Sequence, residues 1–493
     1  RMPSYYQPPC FLTIPKGLSA ISSAGDTLYI RGGNYSVGAF TFSNKTGTAT
    51  QKITISGYEN ERPLLNASGR INALWDNFIV LSRLQHVTLK NLEIANSRTK
   101  GIYLARSNNV TFDNIWIHHT ALAAIWAEED TSNLIIENSR FWQNNKVNDP
   151  TCTSGNAACP GWYAGGQWMG AIHPRGSTSS TGTYINNVII RKNEIFESDG
   201  ECINAHGRVS NLTIEDNAIY NCWAPAIYYP NDKDILIQRN LVYHTNDTRF
   251  RRGGNPSAGI GSQKEDPPTR PGEMKNIRVI NNFVKGFGSN FFFWQHIGGY
   301  LENTLIAHNT FVDAHSNTGT ANSINILPGP HINTRFENNI VVQDDTTGAI
   351  GYSDGSVTFS NNLWSKTPPA NMTGAGDIIT NPLLSRTGNT GAGQLTADYF
   401  KILSGSPAIG KAKSSTITED YFRITRSAPD LGAHEFGGSV TTSPSPSPAP
   451  SPKPGDLNTD GHVNIFDFNL LVSRFGNPYT IFDFNAVISN FGV

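Results

Sequence analysis

A short pattern ending in asparagine recurs ten times in this chain of 493 residues, at Asn91, Asn114, Asn138, Asn193, Asn217, Asn240, Asn282, Asn309, Asn339 and Asn362. Written out, it runs apolar, x, apolar, x, an optional further x, Asn, apolar, x, apolar. Five neighbouring pairs are separated by 23, 24, 24, 23 and 23 residues. That period suits a stack of short-stranded coils better than a single globular core. An asparagine amide donates and accepts at once, and neighbouring strands lie about 4.7 to 4.9 Å apart, so identical residues one coil apart can form a continuous ladder at a bend. Two strands flank each asparagine, as residues 110–112 and 115–117 flank Asn114, and period-two alternation turns one side of each inward.

A third short strand follows in each coil, read at residues 101–104, 124–127, 171–174, 202–205, 226–229 and 259–262, each with Ile in its second place. Three strands per turn around an inner isoleucine column resemble the right-handed parallel β-helix, or pectin-lyase-like, superfamily. The likeness covers roughly residues 13–437. Segments 25–30, 32–35 and 52–58 are similar to the opening coils of secreted β-helix carbohydrate enzymes, and 404–409 with 430–435 to their closing segment. An uncovered sheet end would be adhesive, so the first residues are expected to cap it. The fold class expected is thus an all-β solenoid, and the resemblance implies a polysaccharide-degrading protein.

Composition fits. Apolar content is only 38%, as expected for a thin core, and a net charge of −1 lacks the basic stripe of a nucleic-acid binder. No apolar run is long enough to span a membrane. The chain opens Arg1-Met2-Pro3 with no basic and apolar leader, so an export signal is expected to lie outside it, and the protein to be secreted, with cell-surface attachment as an option. Of the five cysteines, Cys152 and Cys159 can close a small loop, Cys202 and Cys222 can pair if their side chains face each other, and Cys10 is left over. Inert thiols throughout are the alternative.

Two insertions interrupt the period, at about 144–169 and 245–275. Both should leave the coil before the third strand and wall a groove beside it. Residues 1–437 form the expected β-helix domain and 438–455 a Pro/Ser-rich spacer favouring extended polyproline II. Residues 456–493 make a small α-helical module. There Asp456, Asn458, Asp460, His462, Asn464 and Asp467 follow a calcium-loop spacing with Gly461 at the turn. Asp in the twelfth place, with the helix at 468–475, resembles a type I dockerin, which implies one Ca²⁺ and a cohesin-type scaffold partner. A near copy sixteen residues on, 481–492, lacks the loop. That departure puts symmetric two-way docking in doubt, and a calcium-stabilised tail without a partner is the alternative.

If the isoleucines point inward, the residues after them, Tyr103, Trp126, His173, Asn204, Tyr228 and Gly261, face out. So do those two further on, which include Glu128, Arg175 and His206, with Trp294 and His296 extending the strip. The residues before each Ile are all small and read as a low floor. Aromatic faces with charged edges suit an extended glycan. For a lyase acting on a uronate polymer, Arg175 would hold the carboxylate, His206 or His173 take the C5 proton, and Tyr228 or Lys264 assist the leaving oxygen. For a glycoside hydrolase, Glu128, Glu201 and Glu265 supply paired carboxyls. Lyase chemistry is the leading expectation, hydrolysis the alternative, and a non-catalytic glycan-binding solenoid the third. Calcium in the groove is left open. Plainer readings are an exposed Glu128–Arg175 ion pair, surface histidines, and tryptophans packed under the insertions.

The calcium loop carries its own test. The full chain should bind one equivalent of Ca²⁺ by titration calorimetry, and Asp456→Ala should weaken that binding at least tenfold.

Overall fold

The computed structural model describes residues 10–438 except 68–74, 129, 150, 152–167, 177–183, 266–272, 295–297, 320 and 354; beyond 438 it describes Leu457, Val463, Phe468, Leu471, Val472, Val487 and Ile488. The chain divides into two compact units, Arg1–Val440 and Thr441–Val493. In the second, Val463, Leu471 and Val487 are buried together, with Leu457 and Phe468 against them. The calcium-loop residues Asp456, Asn458, Asp460, His462, Asn464 and Asp467 lie outside the described residues.

The first unit is a parallel β-solenoid. Each coil supplies three strands, and each strand pairs in parallel with its counterpart one coil on. Asn108–Asp113, Trp116–Thr120 and Ile125–Glu128 thus pair with Ser132–Glu137, Arg140–Trp142 and Gly170–Pro174. The middle strands form a 13-stranded sheet of their own, while the first and third join in a 22-stranded sheet. One cause of that fusion is the long strand Asn77–Lys90, which pairs with both Lys100–Ala105 and Asn108–Asp113.

The third strands stack in the register expected from the isoleucines: Ile102, Ile125, Ile172, Ile203, Ile227 and Ile260 lie in one column, continued by Phe291 and Ile324. All are buried in the main core. The small residues before them are not a groove floor. Ala124, Ala171, Cys202 and Ala226 also belong to that core, and a Cβ on Gly101 would lie 2.7 Å from the Ile117 side chain. The chain turns a corner there, which breaks the alternation, and only a small side chain fits inside the bend. Cys202 accordingly reaches across the interior to Cys222 in a disulfide with a Cα–Cα distance of 5.7 Å. Cys152 and Cys159 lie outside the described residues.

The ten asparagines occupy two different places. Asn193, Asn217, Asn240, Asn282, Asn309, Asn339 and Asn362 are buried and form one ladder. Each Oδ1 accepts the backbone N–H and the side-chain N–H of the asparagine one coil earlier, as Asn240 Oδ1 does from Asn217 N at 3.1 Å and Nδ2 at 2.9 Å. The second Nδ2 hydrogen goes to a carbonyl, Ile214 O at 2.9 Å in the case of Asn240. The amide is saturated. The series ends at Asp377, an acceptor that takes the Asn362 N–H at 2.7 Å and Trp364 Nε1 at 3.0 Å. Toward the N-terminus Ser139 takes the place, receiving Ile115 N at 3.0 Å and donating its own N–H to Asn193 Oδ1 at 3.0 Å.

Asn91, Asn114 and Asn138 sit one residue earlier, at a left-handed backbone position with φ of 56°, 50° and 52°. In later coils Lys192, Asp216, Arg239, Asn281, His308, Asn338 and Asn361 fill that position. The optional spacer in the sequence pattern separates the two groups. It is present in all seven ladder coils and missing in the three left-handed ones. A further asparagine row lies at the start of the first strands. Asn109, Asn133, Asn187, Asn211, Asn276, Asn303 and Asn333 all have positive φ, and several are joined by side-chain hydrogen bonds, such as Asn187 Nδ2 donating to Asn133 Oδ1 at 2.9 Å.

Helix Ile14–Ala20 covers the N-terminal end, burying Ile14 and Leu18 in the core. At the other end Trp364 and Met372 fill the last coil. The segment beyond does not close the solenoid as its sequence suggested. It runs back along the outer face of the middle sheet, where Leu384, Leu395, Phe400, Ile402 and Leu431 cover Tyr220, Tyr243, Phe283 and Ile340. Those outward aromatic and aliphatic side chains need an apolar cover, and this segment supplies it.

The ladder predicts a sharp contrast. Asn240→Ala orphans two buried N–H groups of Asn217 and should destabilise the solenoid by about 2–4 kcal/mol in denaturant titrations. Asn138→Gly, at an exposed left-handed position, should change it by less than about 1 kcal/mol.

Candidate active site

The third strands Ile125–Glu128, Gly170–Pro174, Glu201–Asn204, Ile227–Tyr228 and Ala258–Gln263 form the site's base. Tyr103, Trp126, His173, Asn204, Tyr228 and Gly261 lie side by side in register, and Phe292, which the isoleucine pattern does not reach, continues the row. They point away from the axis, but most do not meet solvent: Trp126, His173, Asn204 and Tyr228 are all buried. The expected open strip is corrected here. Val147 and Met169 of the first insertion pack on Trp126, with Tyr103 half-buried beside it. Phe292 and Ala258 pack on Tyr228, with Trp294 at the edge. The plain reading of Trp126, cover by an insertion, is the observed one.

The row two residues on is the accessible one. Glu128, Arg175, His206, Gln263 and Trp294 are all partly exposed. Arg175 and His206 face each other in a parallel bridge, and the Arg175 guanidinium lies 5.5 Å from the Trp126 ring centre. Among the described residues no ion pair joins Glu128 to Arg175; Glu128 acts instead on Lys100, whose ammonium pKa is lowered mainly by burial and held up by Glu128. His296 lies outside the described residues. Trp294 pairs with Gln263 and so extends only this second row.

The second insertion does not all leave before the third strand as expected: a first loop, 245–257, precedes strand Ala258–Gln263, and a second starts after it with Lys264 and Glu265. The second loop brings Glu265 into the site. His206 Nε2 lies 2.8 Å from Glu265 Oε2, and the Tyr228 hydroxyl donates to Oε1 at 2.5 Å, as does Gln263 Nε2 at 3.2 Å. Burial alone would raise the Glu265 pKa, but the bonds from His206 and Tyr228 outweigh it and hold the carboxyl below its usual range. Tyr228 is pushed well above the ordinary tyrosine value by burial and by Glu265, so it keeps its proton. Lys264, half-buried beside Glu265, packs along Gly299.

Glu201 behaves oppositely. It is 2% exposed, and burial pushes its carboxyl up to about 7 despite a hydrogen bond from Asn204 Nδ2 at 3.0 Å. The negative charge of Glu265 adds to the rise and Arg252 opposes it. His173 is held well below the usual histidine value by burial, then by His206 and Arg175, so the ring is neutral. Its Nδ1 accepts the Gly170 N–H at 3.4 Å. Four buried polar atoms here, Trp126 Nε1, Asn204 Oδ1, His206 Nδ1 and Asn231 Nδ2, have no hydrogen-bond partner among the described residues.

The insertions are clasped to the coils by charge. Lys146 of the first bonds Asp199 at 3.0 Å, and Arg249 of the second lies 3.7 Å from Asp199 and 3.9 Å from Asp149. No group of three or more His, Cys, Asp or Glu gathers to hold a metal ion among the described residues. No helix there is long and apolar enough to cross a membrane.

Residues 10–161 match the family described as Pel9A-like, right handed beta helix region, a match that ends before Arg175, His206 and Glu265. The solved structure of pectate lyase Pel9A is 14% identical with a TM-score of 0.49, covering 86% of this chain and 90% of that one. An alginate lyase from Paenibacillus sp. str. FPU-7 is 13% identical with a TM-score of 0.42 over 68% and 95%. The Streptococcus pneumoniae surface adhesin PfbA is 14% identical with a TM-score of 0.41 over 71% and 80%. The SPbeta prophage-derived protein YorA of Bacillus subtilis strain 168 is 27% identical over 125 residues, 25% of this chain and 19% of that protein's length. None of these likenesses assigns a role to a residue of the site.

The Glu201 environment fixes a sign for pH dependence. Its folded pKa, about 7, exceeds the ordinary 4.5, so its contribution is fully present below about pH 4.5 and is lost as pH rises to about 7. The loss is on the order of 3 kcal/mol. Thermal melts at pH 5 and pH 8 should show a larger drop for wild type than for Glu201→Gln; equal drops would refute the assignment.

Proposed function

We propose that this chain degrades an acidic polysaccharide by β-elimination. The observation that carries the reading is the adjacency of an accessible Arg175, without an ion-pair partner among the described residues, to a histidine fixed by a carboxylate, His206 on Glu265. Arg175 binds the uronate carboxylate through its planar fork and acidifies the C5 proton. His206, held by Glu265 through Nε2, accepts that proton on Nδ1, the ring nitrogen without a partner among the described residues. The electron pair forms the C4–C5 double bond as the C4–O bond breaks, and Lys264 protonates the departing oxygen. Tyr228 does not suit that last role, because its hydroxyl is spent on Glu265. His173, neutral and buried, serves as a packing and polar neighbour.

One observation favours hydrolysis instead: two neighbouring carboxyls, Glu201 and Glu265, are driven in opposite directions, as an acid and its ionised partner would be. Against it, both Glu265 oxygens are occupied by protein donors. Beyond the solenoid, we infer that the C-terminal module binds one Ca²⁺ and docks to a cohesin-type scaffold, and that the protein works outside the cell.

A panel of acidic and neutral polysaccharides distinguishes these readings. β-Elimination yields unsaturated products absorbing in the near ultraviolet, hydrolysis yields reducing ends without that absorbance, and a binding protein yields neither. His206→Ala and Arg175→Ala should each lower turnover at least 100-fold. Full turnover in both variants would sink the proposal.

A further inference from the structure

Beside the site stands a group that the β-elimination chemistry does not use. Trp168 ends the first insertion and is 45% exposed. Trp223 follows the middle strand Ala218–Cys222, and Arg252 lies on the first loop of the second insertion. The two indole rings are 5.8 Å apart and tilted by 30°. The Arg252 guanidinium lies 4.0 Å from the Trp168 ring centre and 5.8 Å from that of Trp223.

Each member is held from behind. Arg252 and Asn255 exchange backbone hydrogen bonds of 2.8 and 3.1 Å across Gly253 and Gly254. Both glycines have positive φ, 58° and 84°, which a two-residue hairpin turn requires. Asn255 is tied down in turn, accepting the Asn317 N–H at 2.7 Å and donating to Thr318 Oγ1 at 2.6 Å. Trp223 adjoins Cys222, whose disulfide to Cys202 fixes it beside Glu201. Met169, next to Trp168, is buried against Trp126 and Val147. The backbones that carry Arg252 and Trp223 are therefore tied down before any ligand arrives, which lowers the ordering cost of binding.

The chemistry of the three residues specifies a ligand. An exposed indole, Trp168, beside a partly buried one, Trp223, can stack on the apolar face of a sugar ring. A guanidinium held by stacking, with no ion pair to a carboxylate among the described residues, retains an in-plane fork that matches a carboxylate. Burial lowers the Arg252 pKa and the Glu201 carboxylate opposes that fall, so Arg252 belongs to the same electrostatic neighbourhood as the candidate site. Arg175 stands at the far end of the third strand and Arg252 near its start.

We propose that Trp168, Trp223 and Arg252 form an outer subsite that binds a second uronate unit of the polymer, distant from the bond that breaks. This rests on the reading under Proposed function and adds a length requirement to it. A substrate long enough to reach both arginines gains two carboxylate contacts; a short one gains only that at Arg175.

The test uses the full chain with trimeric and hexameric oligogalacturonate and oligoguluronate, read by ultraviolet absorbance. For whichever acid series wild type cleaves, Arg252→Ala should raise KM for the hexamer at least tenfold and for the trimer less than threefold. Arg252→Lys should recover part of the loss, and Trp168→Ala should reproduce the length dependence. An unchanged hexamer KM in Arg252→Ala, or equal losses for both lengths, would overturn this inference alone. Wild type that cleaves none of these probes overturns the reading beneath it as well.

Discussion

Backbone amides at the buried bend between first and second strands must be paired, and the solenoid meets that demand with side chains. From Asn193 to Asn362 each asparagine accepts the bend amide of the coil before it and passes its own donors onward. The direction of donation is uniform, so the series needs an acceptor at its end, and the Asp377 carboxylate is that acceptor. An unpaired amide at any rung would cost about 1–3 kcal/mol in so dry a setting. Because the ladder holds successive coils one strand spacing apart, residues at equivalent places in neighbouring coils become lateral neighbours. That is how Arg175 and His206, far apart in chain order, come to face each other.

The regular coils supply rows, and the irregular insertions supply depth. A bare solenoid face would leave Trp126, His173 and Tyr228 in water, where their polar atoms would behave as in solution. The insertions roof them, and the lowered dielectric separates the two nearby carboxyls: Glu201, with one amide donor, is driven toward its neutral form, while Glu265, with a histidine and a tyrosine, stays charged. The same burial thus raises the carboxyl that has a single side-chain donor and leaves the one held by His206 and Tyr228 below its usual range. The charge clasp of Lys146 and Arg249 on Asp199 ties both walls to the same coil and keeps this arrangement in register.

Much of the fold could be read from residue spacing. The isoleucine column, the three strands per coil, the row of Glu128, Arg175 and His206, and the place of the first insertion all follow from local periodicity. The reading of the small residues as a groove floor fails for a local reason. Alternation holds within a strand and fails at a corner, so Cys202 and its small counterparts were placed outside when they line the interior. The same corner geometry divides the asparagines into left-handed and ladder groups, a distinction present in the sequence as the optional spacer. Burial of the aromatic row could not be inferred, because it depends on where residues 144–149, 168 and 169 return in space. The group at Trp168, Trp223 and Arg252 was likewise invisible, since its members come from three separate segments.

Periodicity acts over two to four residues and repeats every coil, so the chain alone determined a parallel solenoid, its inward column and the ordering of side chains along its third face. The tertiary structure decided which of those side chains meet water, which carboxyl is driven toward its neutral form, and that the segment after Ile379 lies along the outside. These depend on contacts between segments tens to hundreds of residues apart, such as Arg423 with Asp216 and Gly432 with Asn338. No local pattern encodes such meetings; they are set by the path the chain takes once the coils have stacked.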